Sequence, residues 1–475
     1  MFDPDIAPSG TLLGLLQRGR GDGTLHALAA PRTEALAALN HCVLRDPRRD
    51  WQLENRSLYY ARLYVDLDGG LGEIEQHLFH PDDLLETGEE RTGLALAVLG
   101  HLASYGREDA LALLRRYAAR GGNWSWALDE LALRDDDAGL LALGEAVLAR
   151  FPHTPEGESA LAAAVRDAFE PRPWRLWEDD PHAPALGARV RAAREQGSFD
   201  RWQRQLRPSG PRPGWSVREV LDWAQQGLDQ HPTQHRHVPA TRCLTAVAGP
   251  EDRGEIIEAA AFGQEAARAT ALRYLAEHHD PQALDLIETA AGDPAELVAD
   301  AAVTAFERMR STAALERARA WLTRTDALGA AAAAMLACRG GEYDSPLVLA
   351  ALREAVRVSG CDAPVLWDLV DGAGRMAITC AAPVLRHVYR ETSSSHLRGR
   401  AARALAATDP SFATGFAVEC LWDCEESTRE LAAHHATTAD ARVVEQLRRL
   451  AADPAEEAEV QTAVRSRFEP DAPAV

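Results

Sequence analysis

Apolar and polar positions alternate along most of the chain with a helical period. The clearest case is residues 397–410, which read LRGRAARALAATDP. Leu397, Ala401, Ala404 and Leu405 fall at i, i+4, i+7 and i+8, so they line one face of a helix. Ala401, Ala402 and Ala404 are small enough to let a second helix approach closely. The stretch closes on Asp409-Pro410, read as a cap residue with a proline opening the next helix. One such helix cannot bury its apolar face alone, and related stretches begin at Ala266 (AARATALRYLAEHHDP), Ala299 (ADAAVTAFERMRS) and Ser427 (STRELAAHHATTAD).

The same period predicts helices over 11–17, 33–44 and 57–65, the last carrying Tyr59, Tyr60 and Tyr64 as packing residues. They sit in a less regular segment, 1–87, that reads as a helical N-terminal cap. Helices over 89–105 and 108–119 form a pair, as do 124–133 and 139–151, and another helix runs from Pro155 to near Phe169. Their period of about 32 residues marks 88–170 as an N-terminal helical-repeat array. Between 171 and 238 the rhythm lapses into a Trp/Pro-rich joint or insert, interrupted by helices over 186–196 and 216–226. A second array occupies 239–468, with corners at Gly249-Pro250, Asp280-Pro281, Asp293-Pro294, Asp409-Pro410 and Asp453-Pro454. Residues 469–475 read as a flexible tail. No stretch alternates as a strand does, so the predicted fold is all-α: an α-solenoid of antiparallel helix pairs, each stabilised by its neighbours.

Arg400-Ala401-Ala402 with Ala404-Leu405 recurs as Asp300-Ala301-Ala302 with Ala305-Phe306, and as Arg268-Ala269 with Ala271-Leu272. This pattern resembles the HEAT-repeat family, in particular short bacterial repeats similar to those of phycobilisome lyases. The resemblance implies a superhelix of stacked helix pairs and, in most such arrays, a scaffold for another protein. It brings no catalytic residue with it.

Composition narrows the picture. A chain of 475 residues exceeds one compact core. Hydrophobic residues at 46% exclude gross disorder, and an aromatic share of only 6% suits thin Ala/Leu layers. The net charge of −21 argues against a protein devoted to nucleic acid. All 51 cationic side chains are arginine, which reads as coding bias rather than chemistry. Seven cysteines in irregular positions imply free thiols in a reducing compartment. No basic and apolar leader is evident, and the longest apolar run, 327–338, is too short to cross a bilayer. The expectation is a cytoplasmic protein without membrane insertion.

Chemistry is sparse. Trp174, Trp177, Trp202, Trp215 and Trp223 crowd the joint, where a tryptophan serves either as a partner-binding hot spot or as a plug between arrays. His231, His235 and His237, with Cys243 nearby, are the best metal candidates, but they lack a paired CxxC or HExxH framework, so no metal is assigned. His278-His279 and His434-His435 read as caps on helix C-termini, and Cys420 and Cys424 as core thiols. Trp124, Trp126 and Asp129, with Arg115, Arg116 and Arg120, come nearest to the groove of HEAT-like DNA glycosylases, although the arginines read first as a polar helix face. No phosphate loop, nucleophile elbow or paired-carboxylate motif is visible. The expected function is a non-catalytic scaffold, without cofactor, that binds a protein partner on its concave face. The competing expectation is a HEAT-like enzyme, such as a DNA-base glycosylase or a lyase acting on a bound cofactor.

Overall fold

The computed structural model describes residues 6–48, 51–81, 89–205, 214–231 and 235–468. Among them every regular element is a helix and none is a strand. No helix among these residues is long and apolar enough to cross a membrane. Alanine, leucine and arginine, all strong helix formers, fill the element interiors. The 397–410 pattern becomes the helix Ser395–Thr408, whose N-terminus is capped by the Ser394 hydroxyl accepting from the Leu397 amide at 3.1 Å. Leu397, Ala401, Ala404 and Leu405 are all buried, as their spacing required. Three short helices have no counterpart in the periodicity: Gly21–Ala29, Gly72–Leu78 and Arg172–Glu178.

The Asp-Pro corners differ from the expected cap-plus-proline start. In each, the aspartate reaches past the proline, which has no N–H, and accepts the amide two residues on. The pairs are Asp280 with Gln282 at 2.9 Å, Asp293 with Ala295 at 2.9 Å, Asp409 with Ser411 at 3.0 Å and Asp453 with Ala455 at 2.9 Å. The proline therefore sits in a turn, and the next helix begins two or more residues later.

Helices pack on their second neighbours as well as their first. Glu265–Glu277 contacts Glu296–Arg308, which contacts Ala327–Arg339, which contacts Leu366–Arg375. Likewise Ser395–Thr408 contacts Glu426–His435, which contacts Ala458–Phe468. Arginine forks tie these layers together. Arg339 donates to the Met309 and Arg310 carbonyls just past the end of the preceding layer, Arg375 to Ala337 and Gly340, and Arg467 to Ala433 and Ala436. Arg150, Arg172 and Arg189 do the same for Ala119 and Gly121, Ala132 and Asp135, and Leu148 and Phe151. Each fork satisfies two carbonyls that a helix end leaves without partners.

By contact, the chain forms two compact units: Met1–Arg207 together with Tyr389–Val475, and Pro208–Val388. Within the first, the N-terminal helices pack against the C-terminal ones. Cys424 donates its amide to the Gly19 carbonyl at 2.9 Å. Arg398, fully buried, forks onto Asp423 at 2.8 and 2.9 Å and reaches Gly19 O at 3.3 Å. Arg62 pairs with Asp453 at 2.7 Å and with Glu456 at 3.0 Å, and Glu456 also holds Arg429 at 2.6 Å. Gly21 lies so close to the Glu419 carbonyl that a Cβ there would stand 1.8 Å from its oxygen. Tyr59, Tyr60 and Tyr64 are buried beside this seam, with hydroxyls donating to Arg20 O, Leu16 O and Asn40 Oδ1.

Candidate functional site

The helix Trp124–Arg134 forms one wall of a cavity of about 770 Å³ within the first unit. It contributes Trp124, Trp126, Asp129 and Glu130. Trp51, from the segment before the helix Ser57–Asp66, and Trp174, from Arg172–Glu178, complete the aromatic lining. Trp51 meets Trp126 edge to face with centroids 5.4 Å apart, and Trp124 meets Trp174 in the same way at 6.4 Å. Trp51 and Trp174 are buried, whereas Trp124 and Trp126 are half-exposed. At the rim, Leu133 and Phe169 are 58% and 80% exposed.

Two glycines on one face of the helix Glu89–Ser104 make room for this arrangement. A Cβ at Gly93 would lie 2.9 Å from the Trp51 indole, and one at Gly100 would lie 1.9 Å from a Glu130 carboxylate oxygen. They are seven residues apart, two helical turns, so they face the same way. Glycine is unfavourable inside a helix and is kept there for close packing. That spacing is a sequence signal for the cavity that hydrophobic periodicity does not register.

The acids in the cavity are perturbed. Burial pushes Asp129 up to about 6, against the Glu170 amide that donates to it at 3.1 Å. Burial pushes Glu130 up to about 7, although Arg134 lies 2.7 Å away and opposes the rise. Among the described residues no basic side chain lines the cavity. Arg115 instead pairs with Asp135, and Arg116 pairs with Glu75 and stacks over Phe79. Trp124, Trp126 and Asp129 are thus brought together, while Arg115 and Arg116, grouped with them in sequence, are engaged elsewhere.

The joint tryptophans separate. Trp177 is 1% exposed, donates to the Leu140 carbonyl at 2.8 Å and packs on Gly144, so it plugs the core. Trp174 joins the cavity. Trp215 and Trp223 pair edge to face at 6.2 Å in the second unit, where Arg236 lies over Trp223. Trp202 lies on the helix Pro184–Gln205, and its side chain is outside the described residues. The His235 and His237 rings stand 6.1 Å apart, and His231 ends the preceding helix. Among the described residues no three metal-ligating side chains cluster. His278 approaches the Tyr274 carbonyl at 2.8 Å, a helix cap as expected, whereas Arg467 serves the helix that ends at His435. Cys420 is buried against the Tyr389 hydroxyl at 3.2 Å, and Cys424 packs on Gly19.

A second cavity, about 290 Å³, lies between the helices Ser57–Asp66 and Ala441–Ala452. Its arginines, Arg62 and Arg449, are already held by Asp453 and Asp66, which marks it as part of the seam. No family model matches this chain, and neither a curated protein nor a solved structure matches it.

Proposed function

We propose that the chain is a HEAT-like α-solenoid serving as a non-catalytic scaffold, and that it grips a protein partner at the tryptophan-walled cavity. Second-neighbour stacking and the recurring arginine forks support the repeat architecture. The observation that carries the function is the cavity: its volume suits a small molecule or a few inserted side chains, and it offers large indole surfaces beside a few polar groups. The test is capture from a host extract by immobilised wild-type protein and by a Trp124→Ala/Trp126→Ala variant of matched melting temperature. A partner retained by the wild type and lost by the variant supports the reading. Equal retention by both refutes it.

One observation favours a second reading, the DNA-base glycosylase. Trp124, Trp126 and Asp129 do line one cavity, and a carboxyl titrating near neutrality suits acid–base work. The lack of an arginine among the described lining residues weighs against a polyanionic substrate. Base release from an alkylated duplex that vanishes in Asp129→Asn would establish it.

A further inference from the structure

We propose that the group taken up by the tryptophan-walled cavity is a cationic side chain, arginine or lysine, from a basic segment of the protein partner. The inference rests on the cavity being the recognition site and names the chemistry of what enters it.

Three features point to a cation. The first is the wall: Trp126 and Trp124 line the cavity and are only partly buried, and Arg150 already lies over the Trp124 ring at 5.5 Å, so indoles in this setting accept a guanidinium. An indole face carries negative potential and attracts ammonium and guanidinium groups, most strongly where water is excluded. The second is Asp129, whose partner is the Glu170 amide and which no cationic side chain pairs with among the described residues. Burial without a counter-charge makes this carboxyl hold its proton up to about pH 6, and an entering cation replaces that proton. The third is charge: the chain carries −21, and arginines close by are already engaged, Arg134 with Glu130, Arg115 with Asp135 and Arg116 with Glu75. A basic segment is therefore steered toward this protein. Of the two cations, guanidinium is the more weakly hydrated and stacks flat on aromatic rings, so arginine is the better fit.

The test is titration calorimetry of the full chain with N-acetyl-arginine amide, N-acetyl-lysine amide and the neutral isostere N-acetyl-citrulline amide. The charged probes should bind at least about tenfold more tightly than citrulline, and the arginine-to-lysine ratio identifies the source. Affinity should rise about tenfold from pH 5 to pH 8 as Asp129 ionises, with proton release visible as a buffer-dependent heat. Glu130, beside Arg134, and Asp167 line the same cavity, and Glu130 titrates at about 7, so Asp129→Asn should weaken the charge preference and move the remaining pH dependence up toward pH 7. The wild-type pH profile carries the test on its own should that variant fold poorly. Equal binding of all three probes would overturn the cation assignment while leaving a recognition cavity. No binding by any probe, with a partner still lost in the double tryptophan variant, would also overturn it. No binding with the partner still retained would defeat both readings. A concentration-dependent dimer that Asp129→Asn makes monomeric would place a second copy's arginine in the cavity and overturn the partner.

Discussion

At the scale of single residues, arginine does what lysine could not. A planar fork reaches two carbonyls of one helix end with two nitrogens at once, as Arg467 does at 2.6 Å to Ala433 and 3.0 Å to Ala436. An arginine-only cation set read as coding bias from the sequence, yet the structure uses its geometry repeatedly. Carboxylates show the opposite economy, because several are buried with little compensation. Glu419 is pushed up to about 7, first by burial and then by Asp22, with the Arg20 guanidinium 3.8 Å away opposing the rise. The unfolded chain titrates this group near 4.5, so the folded state holds a proton that the unfolded state has released. Stability from this source is therefore intact below about pH 4.5 and falls as pH rises toward 7. Glu419→Gln should leave stability unchanged at pH 4 and raise it by ~1–3 kcal/mol at pH 8. Urea melts of both proteins across that range check the sign.

At the scale of elements, hydrophobic period located most helices and placed the buried face of Ser395–Thr408 correctly. It could not see that Arg398, between two apolar positions, is fully buried, because a period ranks residues by type and its partner Asp423 is 25 positions away. The cavity was half legible. Trp124, Trp126 and Asp129 stood out together, but Trp51 and Trp174 come from distant segments and meet them only through packing. The Arg398–Asp423 pair gives a direct test of buried charge. Arg398→Met should cost ~3–5 kcal/mol by stranding Asp423, and adding Asp423→Leu should recover most of that loss. A double variant no better than the single one would show that the links to Gly19 and Cys424, rather than the ion pair, hold this corner.

At the scale of the whole molecule, two sequence-distant stretches share one unit: Met1–Arg207 and Tyr389–Val475. Truncating Leu405, buried in Ser395–Thr408, should cost ~2–5 kcal/mol. Because the seam runs through Arg398, Arg62 and Glu456, amide exchange in Leu405→Ala should quicken across residues 12–66 as well as 389–468. Faster exchange confined to 389–468 would show that the two stretches open independently. The seam also has a consequence in time. A ribosome adds roughly 5–20 residues per second, so the first helices emerge roughly 20–80 seconds before Asp453 and Glu456 exist to receive Arg62. Through that interval the nascent chain carries a half-built interface. Its docking surfaces, the tyrosines and Arg56, which donates to the Ser393 carbonyl at 2.9 Å, must be kept from other chains until the segment 389–456 has been made.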